Sequence, residues 1–152
     1  MKHRMVIAVL SLAGFFVSLY LWLWKVGFLG TIACGDGGCE TVQLSEYAEF
    51  FGFSVAFLGM VGYMVLMVVS LAGLQPHWAA RREPTLLLVA LAGIGVIFSA
   101  YLTYLEAAVI HAWCRWCIVS AVLIVAIFVV GATALIRART SNIQHPTSNT
   151  HP

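Results

Sequence analysis

The chain has 152 residues, 62% of them apolar and only 9% charged, with a formal net charge of +2 at neutral pH. A soluble domain of this size needs far more charge to cover its surface, so a water-soluble globular protein is excluded. The charge balance says little about partners, and no basic run points to nucleic acid.

Four uncharged apolar runs follow one another: Val6–Trp24, Val55–Leu74, Leu86–Leu105 and Ile118–Ile136. Each is close to the roughly 20 residues that a helix needs to cross the hydrocarbon core. The expected fold is therefore all-α, an integral membrane four-helix bundle over residues 1–139 with spans at about 6–24, 53–74, 86–105 and 117–136. Lys2, Arg4, Arg81, Arg82, Arg137 and Arg139 fall on one side of these spans, and only Lys25 and Arg115 on the other. By the positive-inside rule both termini are cytoplasmic, and the loops after spans one and three face outward. Five of the six acids share that outer side: Asp36, Glu40, Glu46, Glu49 and Glu106. All four cysteines then lie on the outer, oxidising side, where disulfides persist.

The basic start and first apolar run resemble a signal peptide, but the run is long and no small-x-small site follows it closely. An uncleaved first span is expected. The loop after it holds Cys34-Gly-Asp-Gly-Gly-Cys39, and its glycines let a small disulfide ring close and reopen. From Gln43 to Phe51, apolar Leu44, Tyr47, Phe50 and Phe51 alternate at helical spacing with Ser45, Glu46 and Glu49. That pattern predicts a short interfacial helix leading into span two. Glycines at 59, 62, 73, 93 and 95 read as packing positions between spans. Gln75 to Pro84 is a short cytoplasmic turn, and all five tryptophans fall at span ends as an interfacial belt. Residues 140–152 are polar and proline-containing, as expected of a disordered cytoplasmic tail.

His111-Ala-Trp-Cys-Arg-Trp-Cys117 runs straight into span four. If that span is a helix, Cys114 and Cys117 sit one turn apart at its N-terminal end. Free backbone N–H groups and the positive end of the helix dipole collect there and favour a thiolate. Arg115 and His111 add positive charge nearby. Trp113 and Trp116 flank the pair and can wall an apolar ligand pocket. Four cysteines on one side allow a zinc site, two structural disulfides, or exchange between two redox pairs. The bundle has its own core and needs no staples, and the helix-start position favours reactivity, so exchange leads. A lone interfacial His111 reads as structural, and Glu106 as a solvated end-cap.

The combined pattern resembles the vitamin K epoxide reductase (VKOR) family in its bacterial single-domain, DsbB-like form. It is carried by Gly14-Phe-Phe-Val-Ser-Leu-Tyr20, Cys34 and Cys39, Ser45, Gly59-Met-Val-Gly-Tyr63, Tyr101-Leu-Thr-Tyr-Leu-Glu106 and the Cys114–Cys117 segment. The resemblance implies a bundle around a quinone, ubiquinone or menaquinone, with Trp113, Trp116, Ser54, Val55, Leu58 and Ala121 around its ring. It implies that Cys34 exchanges with a thioredoxin-fold partner, that Cys39 passes electrons to Cys114, that Cys117 faces the quinone, and that Ser45, expected to be catalytic with the four cysteines, belongs to the short helix capping that site. Bacterial relatives often carry a fused thioredoxin-like domain; none is expected in these 152 residues, so the expected partner is a separate DsbA-like protein. Animal members carry an Asn where this chain has Val55 and a Tyr where it has Ala121, which implies plain quinone reduction rather than epoxide reduction. The expected activity is a quinone-dependent thiol oxidase of the bacterial inner membrane. The alternative is a non-enzymatic scaffold whose two disulfides pin its outer loops.

Overall fold

A computed structural model describes residues 2–35, 37–79 and 81–144. Its elements run α1 (Lys2–Lys25), α2 (Gly38–Leu44), a 3₁₀ turn (Glu46–Ala48), β1 (Glu49–Phe50), β2 (Phe53–Ser54), α3 (Val55–Ala72), α4 (Pro76–Ala79), α5 (Glu83–Leu105), a π turn (Glu106–Ile110) and α6 (Arg115–Gln144). The helices α1, α3, α5 with its π turn, and α6 are long and apolar enough to cross a membrane. The protein is an all-α membrane four-helix bundle.

The bundle is built around α1, which packs mainly on α3 and α6, while α5 lies against α6 and α3. Gly14 makes the first of these contacts possible, because any side chain there would collide with the Tyr63 ring. Tyr63 joins Ile7, Leu66, Leu88, Ala92, Ile124 and Ile127 in the main core. Outward-facing side chains such as Val9, Phe16, Ile94, Ile97 and Val122 are exposed, as a lipid-facing surface requires.

Two expectations meet a different structure. The short helix predicted over 43–51 instead spans Gly38–Leu44, starting one residue before Cys39. It stops at Ser45, where the backbone turns extended (φ −68°, ψ 155°) and the side-chain Oγ donates to the Val42 carbonyl at 2.7 Å. The remainder forms the 3₁₀ turn and a two-residue β-hairpin, Glu49 opposite Ser54 and Phe50 opposite Phe53. Phe51 and Gly52 both take positive φ at its tip, a geometry no helix accommodates. The apolar residues that prompted the helix still sit outward, with Leu44 and Phe51 strongly exposed. At the other boundary, α6 continues past Arg139 to Gln144. No glycine or proline follows Arg139 before Pro146, and the Thr140 Oγ1 donates back to the Ile136 carbonyl at 3.1 Å. The rest of the expected tail, residues 145–152, lies outside the described residues.

Candidate functional site

At one end of the bundle the two cysteine-bearing loops fold over each other. Cys34 bonds to Cys39 across a Cα separation of 5.9 Å, and Cys114 to Cys117 across 5.1 Å. Gly35 and Gly37 hold positive φ in the first ring, a conformation that residues with a Cβ rarely adopt. Gly38 then packs directly on the Trp113 carbonyl, where a Cβ would clash, so the outer ring is pressed onto the segment entering α6. Cys34, Cys39 and Cys114 share one buried cluster with Leu21, Ile32, Val42 and Ala56, and Cys117 packs against it.

The inner pair is shaped by the end of α5. After Leu105 the chain makes a π turn and reverses through His111, an αL residue with φ 54°. This turn folds Glu106 inward. Its carbonyl accepts from the Ala112 N–H at 3.2 Å, and its carboxylate Oε2 accepts from the Cys114 N–H at 3.0 Å. Only 3% of Glu106 is exposed, so the solvated end-cap expected from sequence is instead a buried brace for the cysteine loop. Cys114 sits just ahead of α6. Its sulfur accepts from the Cys117 N–H at 3.3 Å and its carbonyl from the Ile118 N–H at 3.0 Å. A sulfur that already meets a free N–H at a helix start is placed where thiolate charge is stabilised.

Beside this pair opens a cavity of about 680 Å³, within the size range of cofactor sites. Apolar side chains of α3, α5 and α6 supply most of its wall, with polar groups from Gln43, Ser45, Tyr63, Glu106 and Ser120. Cys117 lines it; Cys34, Cys39 and Cys114 do not. Of the residues expected around a ring, Val55, Leu58 and Ala121 line the cavity, as does Ser45. Trp113, Trp116 and Ser54 stand outside its wall. Trp116 packs on Tyr20 at 5.3 Å and donates from Nε1 to the Ala33 carbonyl at 3.1 Å, while the Tyr20 hydroxyl accepts from the Ala33 N–H at 2.9 Å. The two rings therefore hold the outer loop. Trp113 is 54% exposed, and a side chain at Gly35 would begin 3.8 Å from the Arg115 guanidinium. His111 is exposed.

One cavity residue was not singled out from the sequence, and a second was named only as the end of the Gly59–Tyr63 segment. Gln43 is only 4% exposed, and its Nε2 donates to the Cys117 sulfur at 3.7 Å. Its Oε1 is buried without a hydrogen-bond partner. Leaving a buried acceptor unpaired costs on the order of 1–3 kcal/mol, so this amide is poised for a further donor. The available signal was spacing: Gln43 lies four residues after Cys39, on the same helical face. The second feature is the Tyr63 hydroxyl, which donates to the Ser120 carbonyl at 2.7 Å and lies 3.0 Å from the Ser120 hydroxyl.

Compared with known protein families, residues 5–132 match the model described as the Vitamin K epoxide reductase family, a stretch that contains all four cysteines.

Proposed function

The chain belongs to the vitamin K epoxide reductase family, and on that premise we propose that it is a quinone-dependent thiol oxidase. The family is one of membrane disulfide oxidoreductases, generally quinone-using and typically working with thioredoxin-like proteins. In our reading this member reoxidises a separate DsbA-like protein on the periplasmic side, with both termini cytoplasmic.

The observation that carries this reading is the division of labour among the sulfurs. Cys34, Cys39 and Cys114 share one buried cluster, whereas Cys117 alone of the four lines the adjoining apolar cavity. The cavity fits a quinone by its size and its apolar walls, and the unpartnered Gln43 Oε1 is an acceptor for the hydroxyl of the quinol it would become. A bound quinone supplies an acceptor for two electrons and two protons.

The cysteines would act in sequence. A partner thiolate attacks the Cys34 sulfur, the Cys34–Cys39 bond breaks, and Cys39 leaves as thiolate. The partner's second thiolate then attacks the partner sulfur of the mixed disulfide, which frees Cys34 and releases the partner oxidised. Cys39 attacks Cys114, breaking the Cys114–Cys117 bond and leaving Cys117 as thiolate. Attack of Cys34 on Cys39 restores the outer pair and frees Cys114. The inner pair, now reduced, returns to its disulfide by giving up two electrons, and its protons leave with them. Each exchange depends on which sulfur is ionised and reachable. The amide of Gln43 and the N-terminus of α6 favour thiolate on Cys117 and Cys114 respectively.

The test is anaerobic. Protein reduced with a mild thiol and freed of it should re-form both disulfides on addition of a short-tailed quinone, with one quinol produced per disulfide. A scaffold with structural disulfides would leave the thiols reduced and the quinone oxidised.

A further inference from the structure

At the end of the bundle away from the cysteines lies a second cavity, of about 300 Å³, which the redox chemistry does not use. It is separated from the cysteine end by the length of α1, about 35 Å at 1.5 Å per residue. Its walls come from the first turn of α1 with His3 and Arg4, from Arg81, Arg82 and Thr85 around the start of α5, and from the last turns of α6. Three arginines and a histidine thus line one small space, with the Arg81 guanidinium over the Trp78 ring and Arg82 Nη2 donating to the Ala138 carbonyl at 3.3 Å. No carboxylate lines it among the described residues; Glu83 pairs with Arg81 at 3.7 Å on the exposed surface.

Arg4 makes this arrangement unusual. Its side chain is buried, with 4% exposure, yet every partner of its guanidinium among the described residues is neutral. It donates to the carbonyls of Gly73, Trp78 and Arg81 and to the Thr85 hydroxyl. The Arg4 Nε and the His3 Nε2 are both buried with no hydrogen-bond partner. A buried cation without a counter-charge is costly, and orphaned polar atoms beside it add to that cost. The positive-inside rule accounts for arginines at this end of the spans, but not for burying one among others. The missing component is an anion.

We propose that this cavity binds the phosphate of an anionic membrane phospholipid. The shared chemistry is that of any phosphate oxyanion, which guanidinium groups recognise through paired hydrogen bonds. The lipid is favoured because the cavity lies at the ends of the spans, where headgroups sit. One wall, formed by Ala134, Leu135 and Ala138, is apolar and suits the glycerol and the first acyl carbons of a lipid, not a free ion. Bound there, the headgroup ties the start of α1 to the start of α5 and the end of α6.

The experiment uses purified protein in a neutral detergent, with melting temperature and native mass spectrometry as readouts. Short-chain phosphatidylglycerol, phosphatidylcholine of equal chain length, and inorganic phosphate are titrated separately. Phosphatidylglycerol should raise the melting temperature to a plateau and remain bound as one molecule per chain. Phosphatidylcholine carries a cation that the arginines repel, and should do so much more weakly. Arg82→Gln should weaken the phosphatidylglycerol response by about fivefold or more, the effect of one basic residue on an anionic headgroup. Arg139→Gln, at the same end but outside the cavity, should leave it unchanged; if Arg82→Gln does not fold, Arg81→Gln takes its place. Equal responses to the two lipids, or equal losses from Arg82→Gln and Arg139→Gln, would overturn the proposal. So would a plateau reached with inorganic phosphate that phosphatidylglycerol does not exceed, which would mark a free-anion site.

Discussion

The two ends of the bundle solve the same problem, burial of polar groups beside lipid, by opposite means. At the basic end, Arg4 is fixed by carbonyls at the end of α3 and in the turn before α5, and Ser70 Oγ donates to the Arg4 carbonyl at 2.5 Å. Regular helices meet there and their ends are tied off. At the cysteine end, regular structure is given up: Gly35, Gly37, Phe51, Gly52 and His111 hold positive φ, and α5 ends in a π turn. The groups buried there are sulfurs whose partners can be exchanged, one braced carboxylate and one half-paired amide. The contrast separates polar burial that locks a bundle from polar burial that leaves chemistry to be done.

Substitutions should respect that division. The largest effect is expected from Cys117→Ser, which should reduce quinone-dependent turnover to background while leaving the bundle folded. It should also let the Cys114 thiolate, left without its own partner, attack Cys39 and displace Cys34; non-reducing gels and mass spectrometry would show the resulting Cys39–Cys114 bond. Given a partner whose second cysteine is replaced and whose remaining cysteine carries a mixed-disulfide leaving group, Cys39→Ser should displace that group and accumulate the partner on Cys34, and Cys34→Ser should accumulate none. Like behaviour of the last two would dissolve the ordered relay.

Arg4→Met probes the opposite end. It removes the charge but leaves carbonyls of Gly73 and Arg81 without their donor, and should lower stability by roughly 3 kcal/mol, as for loss of charge-assisted hydrogen bonds. Thermal denaturation should fall while turnover per folded molecule stays near that of the parent. A turnover loss as large as that of Cys117→Ser would mean that the two ends are not separable.

Gln43→Leu sharpens the account of the cavity. Loss of a hydrogen bond to a thiolate, about 1.5–3 kcal/mol, should slow turnover roughly tenfold to a hundredfold. Stability should hold or rise, since an orphaned acceptor disappears with the amide. The smallest change is expected from Ser45→Ala. Its hydroxyl proton is engaged by the Val42 carbonyl, so the expected cost is about 1 kcal/mol of local stability with little change in catalytic constants. A kinetic defect exceeding that of Gln43→Leu would move the weight of the site from the amide to the hydroxyl.

What was legible in the sequence follows the same contrast. Four long helices were legible because lipid demands an unbroken apolar run, and Leu105 ends both the third run and α5. Ser45, Val55, Leu58, Ala121 and Cys117 all line the cavity beside the inner cysteine pair. The irregular end was harder. The start of α2 is set by closure of the Cys34–Cys39 ring and by Gly38 against Trp113, contacts that no local periodicity encodes. Glu106 looked solvated because nothing in Leu-Glu-Ala-Ala-Val announces a π turn that rotates it inward. Trp113 and Trp116 flank the cysteines in sequence, yet Trp116 is turned toward Tyr20 and Ala33 by contacts remote in the chain.

The brevity of α2 has a mechanical consequence. Seven residues make a stiff rod of two turns, with Cys39 near one end and Gln43 one turn further on the same buried face. As long as the rod stays wound, Cys39 cannot swing toward Cys114 without carrying the Gln43 amide along. The outer sulfur and the cavity wall are thus two points on one lever, and the length of that lever is a single helical turn.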